Sequence, residues 1–219
     1  MSALTIFSEI KIQTRIRPLM MNDNLPAITV VSTDQRSVAL NTIVASFAAD
    51  PLVRWIYPQA DIYLTYGAQV FDNFGGAAFD SGAAFEIDNY AGVALWVPPG
   101  ADDHSDGDSE VSELLLKTVA EERMEEVGSV LGEMEAYHPS EPCWYLPLIG
   151  VDPCHQGRGL GAQLMKYALA KCDEAGLPAY LESSNPANIS LYERHGFEVM
   201  GKIQSATSPA VHPMYRAAR

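Results

Sequence analysis

The period of the apolar positions changes several times along the chain, and each change marks an element. "AITVVS" (Ala27 to Ser32) is a compact apolar run that predicts a strand, with Ser32, Thr33 and Asp34 as caps for an amphipathic helix reaching Phe47. "DPLVRWIYP" (Asp50 to Pro58) reads as a turn or short helix. From Asp61 to Phe74 the period is helical, with Ile62, Tyr66, Val70 and Phe74 recurring on one side. Ala83 to Asp88 and Gly92 to Val97 predict a hairpin turning at Asn89-Tyr90-Ala91. "PPGADDHSDGDSE" (Pro98 to Glu110) reads as an exposed loop. Ser109 to about Ala136 is helical, its apolar side marked by Val111, Leu114, Leu115, Val119, Val127, Val130 and Leu131. Cys143 to Val151 is mostly apolar, as expected of a strand covered on both faces, and Pro147 predicts a bulge or break in its pairing. A helix from Gly159 to Ala175, a strand from Ala179 to Ser183, a helix from Ala187 to His195 and two closing strands complete the chain. The class is α/β with a mixed sheet.

Length and charge narrow the picture. At 219 residues the chain reads as a single domain over residues 26–219, with residues 1–25 as a loosely ordered extension. Lys11, Arg15 and Arg17 against Glu9 leave an organelle-targeting segment open; the alternative is a start at Met21, with the first twenty residues a loose extension. The apolar runs are too short to span a bilayer, so no membrane partner is expected. Cys143, Cys154 and Cys172 are odd in number and lack metal-ligand spacing, which suits a reducing cytoplasm and no metal. A formal charge of −14 argues against nucleic acid. The acid is concentrated between Ala101 and Glu135, where twelve carboxylates face only Lys117 and Arg123. Two readings stay open there, a solvated helix face and a field that gathers cationic substrates.

The chemistry-bearing stretch is "VDPCHQGRGLGAQLMKYALAKC" (Val151 to Cys172), with Gly157, Gly159 and Gly161 between a strand and a helix. Bare backbone at a helix start exposes unpaired N–H groups at the positive end of the dipole, an arrangement that holds phosphate. A dinucleotide fingerprint competes, since "GRGLGA" fits the letters and Glu182 ends a strand downstream. Against it, Asp152 to Gln156 separate the strand from the first glycine, and only 37 residues follow Glu182. No Lys-Ser or Lys-Thr pair follows, so this is not a nucleoside-triphosphate loop.

"QGRGLG" (Gln156 to Gly161), preceded by "IGVDP" and followed by "NISLYERHGFE" (Asn188 to Glu198), resembles the GNAT superfamily of acyl-CoA-dependent N-acetyltransferases. Upstream, "ASFAADPLVRWIYP", "ALWVPPG" and "HPSEPCWYLPLIGVDPCHQGRGLG" are similar to the branch containing puromycin N-acetyltransferase. The resemblance implies a mixed, mostly antiparallel seven-stranded sheet flanked by helices and splayed between strands 4 and 5 to admit acetyl-CoA. It implies cofactor contacts at Ile149, Gly150, Val151, Gln156, Gly157, Arg158, Gly159, Leu160, Gly161, Ala162, Asn185 and Asn188, with Arg158 as a charge partner for phosphate. Asn185 and Asn188 equally suit helix caps. Tyr192 would give a proton to the thiolate, a phenol and a thiol being matched closely enough (about 10 and 8.5) for that transfer. It equally suits a core tyrosine on a short amphipathic helix beside Leu191 and Phe197. Leu148 to Val151 would offer a backbone N–H to the carbonyl. Glu182 is the candidate base or a structural carboxylate; Glu135, His138 and Glu141 are further candidates. Cys154 suggests no acyl-cysteine route, as no partner pattern accompanies it. The expected activity is direct acetyl transfer from acetyl-CoA to a small primary amine, by a cytoplasmic monomer or homodimer. The alternative is an acyl-CoA-binding sensor or scaffold without catalysis. Trp55, Tyr57, Trp96 and Pro98 are expected to wall the acceptor site.

Overall fold

The structure, a computed structural model, describes residues 26–101 and 104–219, and side chains other than those of 102–110. The expected extension over residues 1–25 lies outside the described residues. In chain order the elements are β1 (Ile28–Val30), α1 (Arg36–Phe47), α2 (Pro51–Ile56), α3 (Ala60–Gly75), α4 (Ala77–Asp80), β2 (Ala84–Ile87), β3 (Gly92–Val97), α5 (His104–Thr118), α6 (Met124–Tyr137), β4 (Trp144–Val151), α7 (Leu160–Ala175), β5 (Ala179–Ser183), α8 (Ile189–Arg194), β6 (Glu198–Val199) and β7 (His212–Arg216). The seven strands form one sheet in the order β1-β2-β3-β4-β5-β7-β6, antiparallel throughout except for β4 beside β5.

Two apolar layers cover the sheet. On one face α7 buries Leu164, Met165, Ala168 and Leu169 against Phe85, Trp96, Leu146 and Leu181. On the other, α1 and α3 bury Leu40, Ile43, Tyr63 and Phe71 against Ala84, Val93, Leu95 and Leu148.

The event that shapes the site is at Pro147. Tyr145 pairs with Val97 but Leu148 with Leu95, so β4 spends three steps where β3 spends two. Proline has no N–H to give the ladder, and the extra residue shifts the phase of the strand. Trp144 and Leu146 face α7 before the bulge, Ile149 and Val151 face it afterwards, and Leu148 faces the opposite layer. The parallel ladder to β5 ends at the same point, with only Trp144↔Ala179 and Tyr145↔Tyr180 paired. Beyond these pairs β4 stays with β3 and β5 with β7, and the two strands part.

Three expectations need correction. The stretch after Pro98 is not loop throughout, since α5 begins at His104. The acidic segment is two helices, broken at Ala120, whose extended backbone starts a 3-10 turn over Glu121–Arg123. The buried stripe of α3 is Tyr63, Gly67, Val70 and Phe71, while Ile62, Tyr66 and Phe74 are only partly covered.

Candidate active site

Where β4 and β5 part, a groove of about 580 Å³ opens toward the start of α7. Its floor is the end of β4 (Ile149, Gly150, Val151), one side is the loop Gln156–Ala162, and the other is formed by Asn185, Asn188 and Tyr192. Gly157 and Gly159 hold left-handed backbone, φ 74° and 81°, and a Cβ added at either would meet nothing within 4 Å. Their bareness therefore serves backbone conformation and open space rather than packing. Gly159 caps α7 without a side-chain hydrogen bond, so the first N–H groups of a sixteen-residue helix face the groove with no side-chain acceptor. Gly150 is bare for another reason: a Cβ there would strike Ser46 on α1, with Ser46 Cβ 2.7 Å away. Beyond the bulge, alternate N–H groups of an antiparallel strand point away from its partner, here toward the open side of β4.

A second cavity, about 90 Å³ and mostly apolar, lies against the groove on the α1–α3 side of the sheet. Phe47 lines both spaces. Between them Ser184 Oγ donates to Asp50 Oδ2 at 2.7 Å. Asp50 is buried and caps α2, its Oδ1 accepting from the N–H groups of Leu52 and Val53. Burial raises the Asp50 pKa, against these hydrogen bonds.

Glu182 lines the apolar cavity. Desolvation pushes its pKa up to about 7, hydrogen bonding from Tyr180 and Tyr145 opposes the rise, and the nearby Glu135 carboxylate adds to it. The buried Tyr180 hydroxyl neighbours Glu182 without reaching full hydrogen-bond geometry. His138 packs edge-on against both tyrosines, 4.8 Å from Tyr145 and 5.0 Å from Tyr180 between ring centroids. Tyr192, in the groove, is buried against Phe197 at 6.3 Å, and burial with the field of Asp50 raises its pKa above the ordinary phenol value. The phenol therefore holds its proton through neutral pH, at some cost in acidity.

The structure does not gather every expected residue. Arg158 turns away to pair with Asp88 at 3.3 Å and is not part of the groove wall, where Arg194 stands instead. Gln156 ties the loop back by donating to the Val151 carbonyl at 3.2 Å. Asn185 is a cap, accepting from Ala187 N at 3.0 Å; the Asn188 side chain makes no cap bond. Glu141 accepts from Tyr215 at 2.7 Å and is not a wall of either cavity. Of the expected acceptor walls only Tyr57 lines the apolar cavity. Trp96 is buried on the α7 face, and Trp55 stacks under Arg123 and donates to Thr207. Asp50, Ser184 and Arg194 were missed. Asp50-Pro51 carries a helix-cap signal, but nothing in sequence ties it to a residue 134 positions on. Cys154 is exposed and free, whereas burial raises Cys143 to about 11 and Cys172 to about 12.

This geometry has relatives. The family model described as Acetyltransferase (GNAT) family matches residues 87–197, which run from the end of β2 through the site to the turn after α8. An uncharacterized N-acetyltransferase of Schizosaccharomyces pombe is 29% identical over 184 residues, 79% of this chain and 74% of that protein. Arylalkylamine N-acetyltransferase 2 from Aedes aegypti superposes with a TM-score of 0.67 at 14% identity, over 90% of this chain and 100% of that one. A Corynebacterium glutamicum structure described as histone acetyltransferase HPA2 and related acetyltransferase gives 0.63 at 21% identity, covering 90% and 98%.

Proposed function

Because the chain belongs to the acetyltransferase (GNAT) family, we propose that it transfers an acetyl group from acetyl-CoA directly to the primary amine of a small molecule, at the junction of the two cavities. The observation that carries this reading is the parting of β4 and β5 after Tyr145↔Tyr180, which puts a bare, N–H-lined loop on one side and Glu182 on the other. The residues fit the cofactor: open space over Gly157 and Gly159 suits phosphate against backbone, and Ile149 to Val151 offer an unpartnered strand edge to pantetheine amides. Gln156, Leu160, Gly161, Ala162, Asn185 and Asn188 complete that wall, and Arg194 takes the role expected of Arg158.

Acetyl-CoA supplies an activated thioester. Glu182, with a pKa near neutrality, accepts the proton of the incoming ammonium, directly or through water. A backbone N–H of β4 beyond the bulge polarises the carbonyl. Tyr192 donates its proton to the departing sulfur. The similarity of "ASFAADPLVRWIYP" and "ALWVPPG" to the puromycin N-acetyltransferase branch supports placing the chain near that branch. The test is thiol release from acetyl-CoA across a panel of amines, beside calorimetric CoA binding. Turnover that needs an amine is expected; CoA binding with no turnover on any amine would make the protein a sensor or scaffold.

A further inference from the structure

We propose that the cavity beside Glu182 is an acceptor-tail pocket that selects monoamines with one compact apolar tail over diamines and polyamines. The inference rests on the acetyl-transfer reading above and deepens it. Glu182 is the cavity's only carboxylate among the described residues. Apart from Ser184 its other walls are aliphatic and aromatic residues of α1, α2, α3, α5, α6 and β4, with Tyr57 just after α2 and Gly67 in α3. Three of the wall hydroxyls are already engaged: Tyr63 donates to the Val44 carbonyl, Ser184 donates to Asp50, and Tyr145 hydrogen-bonds Glu182. Thr118 gives its one proton to the Leu114 carbonyl at 2.6 Å, so Tyr57 keeps a neutral hydroxyl and no charge to offer. A second cation carried down the tail would lose its water and find no counter-charge, a burial that proteins avoid.

Size sets the second limit. An apolar cavity of about 150 Å³ holds a benzene ring, so the roughly 90 Å³ here suits a branched alkyl tail rather than a fused ring. With the ammonium at Glu182, such a tail fills the space lined by Phe71 and Leu148, in a cavity that shares Phe47 with the cofactor groove. Gly67 is the place to alter the volume. It lines the cavity from the middle of α3, and a Cβ there meets only Val44 at 3.5 Å and Tyr63 at 3.6 Å, ordinary contacts. An alanine at 67 is therefore compatible with the packing and with the helix, which favours Ala over Gly.

The experiment measures kcat/KM for methylamine, isobutylamine, tryptamine and putrescine with wild type, Gly67→Ala and Gly67→Leu. Each buried methylene should raise kcat/KM about fourfold, so isobutylamine should exceed methylamine by roughly sixtyfold. That ratio should fall in Gly67→Ala and collapse in Gly67→Leu, with tryptamine and putrescine poor in all three. Putrescine or tryptamine as the better substrate, or an isobutylamine-to-methylamine ratio indifferent to Gly67, overturns the pocket and leaves acetyl transfer standing. If no amine is acetylated, the transfer reading fails. Calorimetry of isobutylamine with the CoA-loaded protein then decides the pocket: binding to wild type but not to Gly67→Leu upholds it, and no binding to wild type overturns it.

Discussion

Glu182 carries the sharpest residue-scale consequence. Its pKa in the fold, about 7, stands above the ordinary 4.5, so the folded protein holds this proton more tightly than the unfolded chain does. The stabilisation is complete below the unfolded value and is lost as pH rises through about 7. Over that window wild type should lose up to about 1.4 kcal/mol per pH unit from this group. Glu182→Gln keeps the shape and removes the titration, so denaturant midpoints measured from pH 5 to 8 should fall less steeply with pH in the variant. In the same variant the ascending limb of kcat/KM near pH 7 should vanish, with turnover down by roughly 10²–10⁴-fold. Equal slopes and an unchanged limb would make Glu182 a structural carboxylate. At this scale the sequence was legible where a residue's role is local. Gly157 and Gly159 sit in a run whose chemistry is written in adjacent letters, and the structure finds both in left-handed backbone. Arg158 is in the same run, yet its direction depends on Asp88 across the β2–β3 turn, a contact no local pattern encodes.

At the scale of elements, Pro147 was readable because a missing donor disrupts a ladder wherever the strand sits, and the register shift lies there. The α3 stripe was misread by one position because helix periodicity gives the spacing of a buried face but not its centre. The neighbours that set the centre, such as Val44 beside Gly67, come from another helix. The acidic helices carry a prediction here. Glu121, Glu122 and Glu125 are exposed, but Glu126 is not simply solvated: it accepts from the backbone N–H and the hydroxyl of Thr207. Neutralising the first three to Gln leaves that contact intact. If the acid gathers an ammonium substrate, kcat/KM for the amine should fall with added salt in wild type while that for acetyl-CoA holds or improves. The effect should appear below physiological ionic strength, where the screening length exceeds about 8 Å. The triple variant should lose the amine's salt dependence; a triple variant like wild type, or parallel salt responses, would leave the acid as a solvated face.

Across the whole molecule, a bulge, a crossover and two cavities form one continuous device. Pro147 ends the ladder to β5, α7 starts at the gap this leaves, and the returning β5 delivers Glu182 to the far side. The order of these parts along the chain was legible, because the glycine loop, the helix and the N…LY…GF segment occur in sequence between residues 156 and 198. The acceptor side was not, because its walls come from five helices and two strands that meet only in the fold. The most direct measurement is a rapid-quench single turnover with acetyl-CoA and isobutylamine, following free thiol and N-acetyl product together in wild type and Tyr192→Phe. Direct transfer predicts that thiol and product rise at one rate, and that Tyr192→Phe slows both by roughly 10²–10⁴-fold while acetyl-CoA affinity holds. Thiol appearing ahead of product, or a Tyr192→Phe rate equal to wild type, would contradict it.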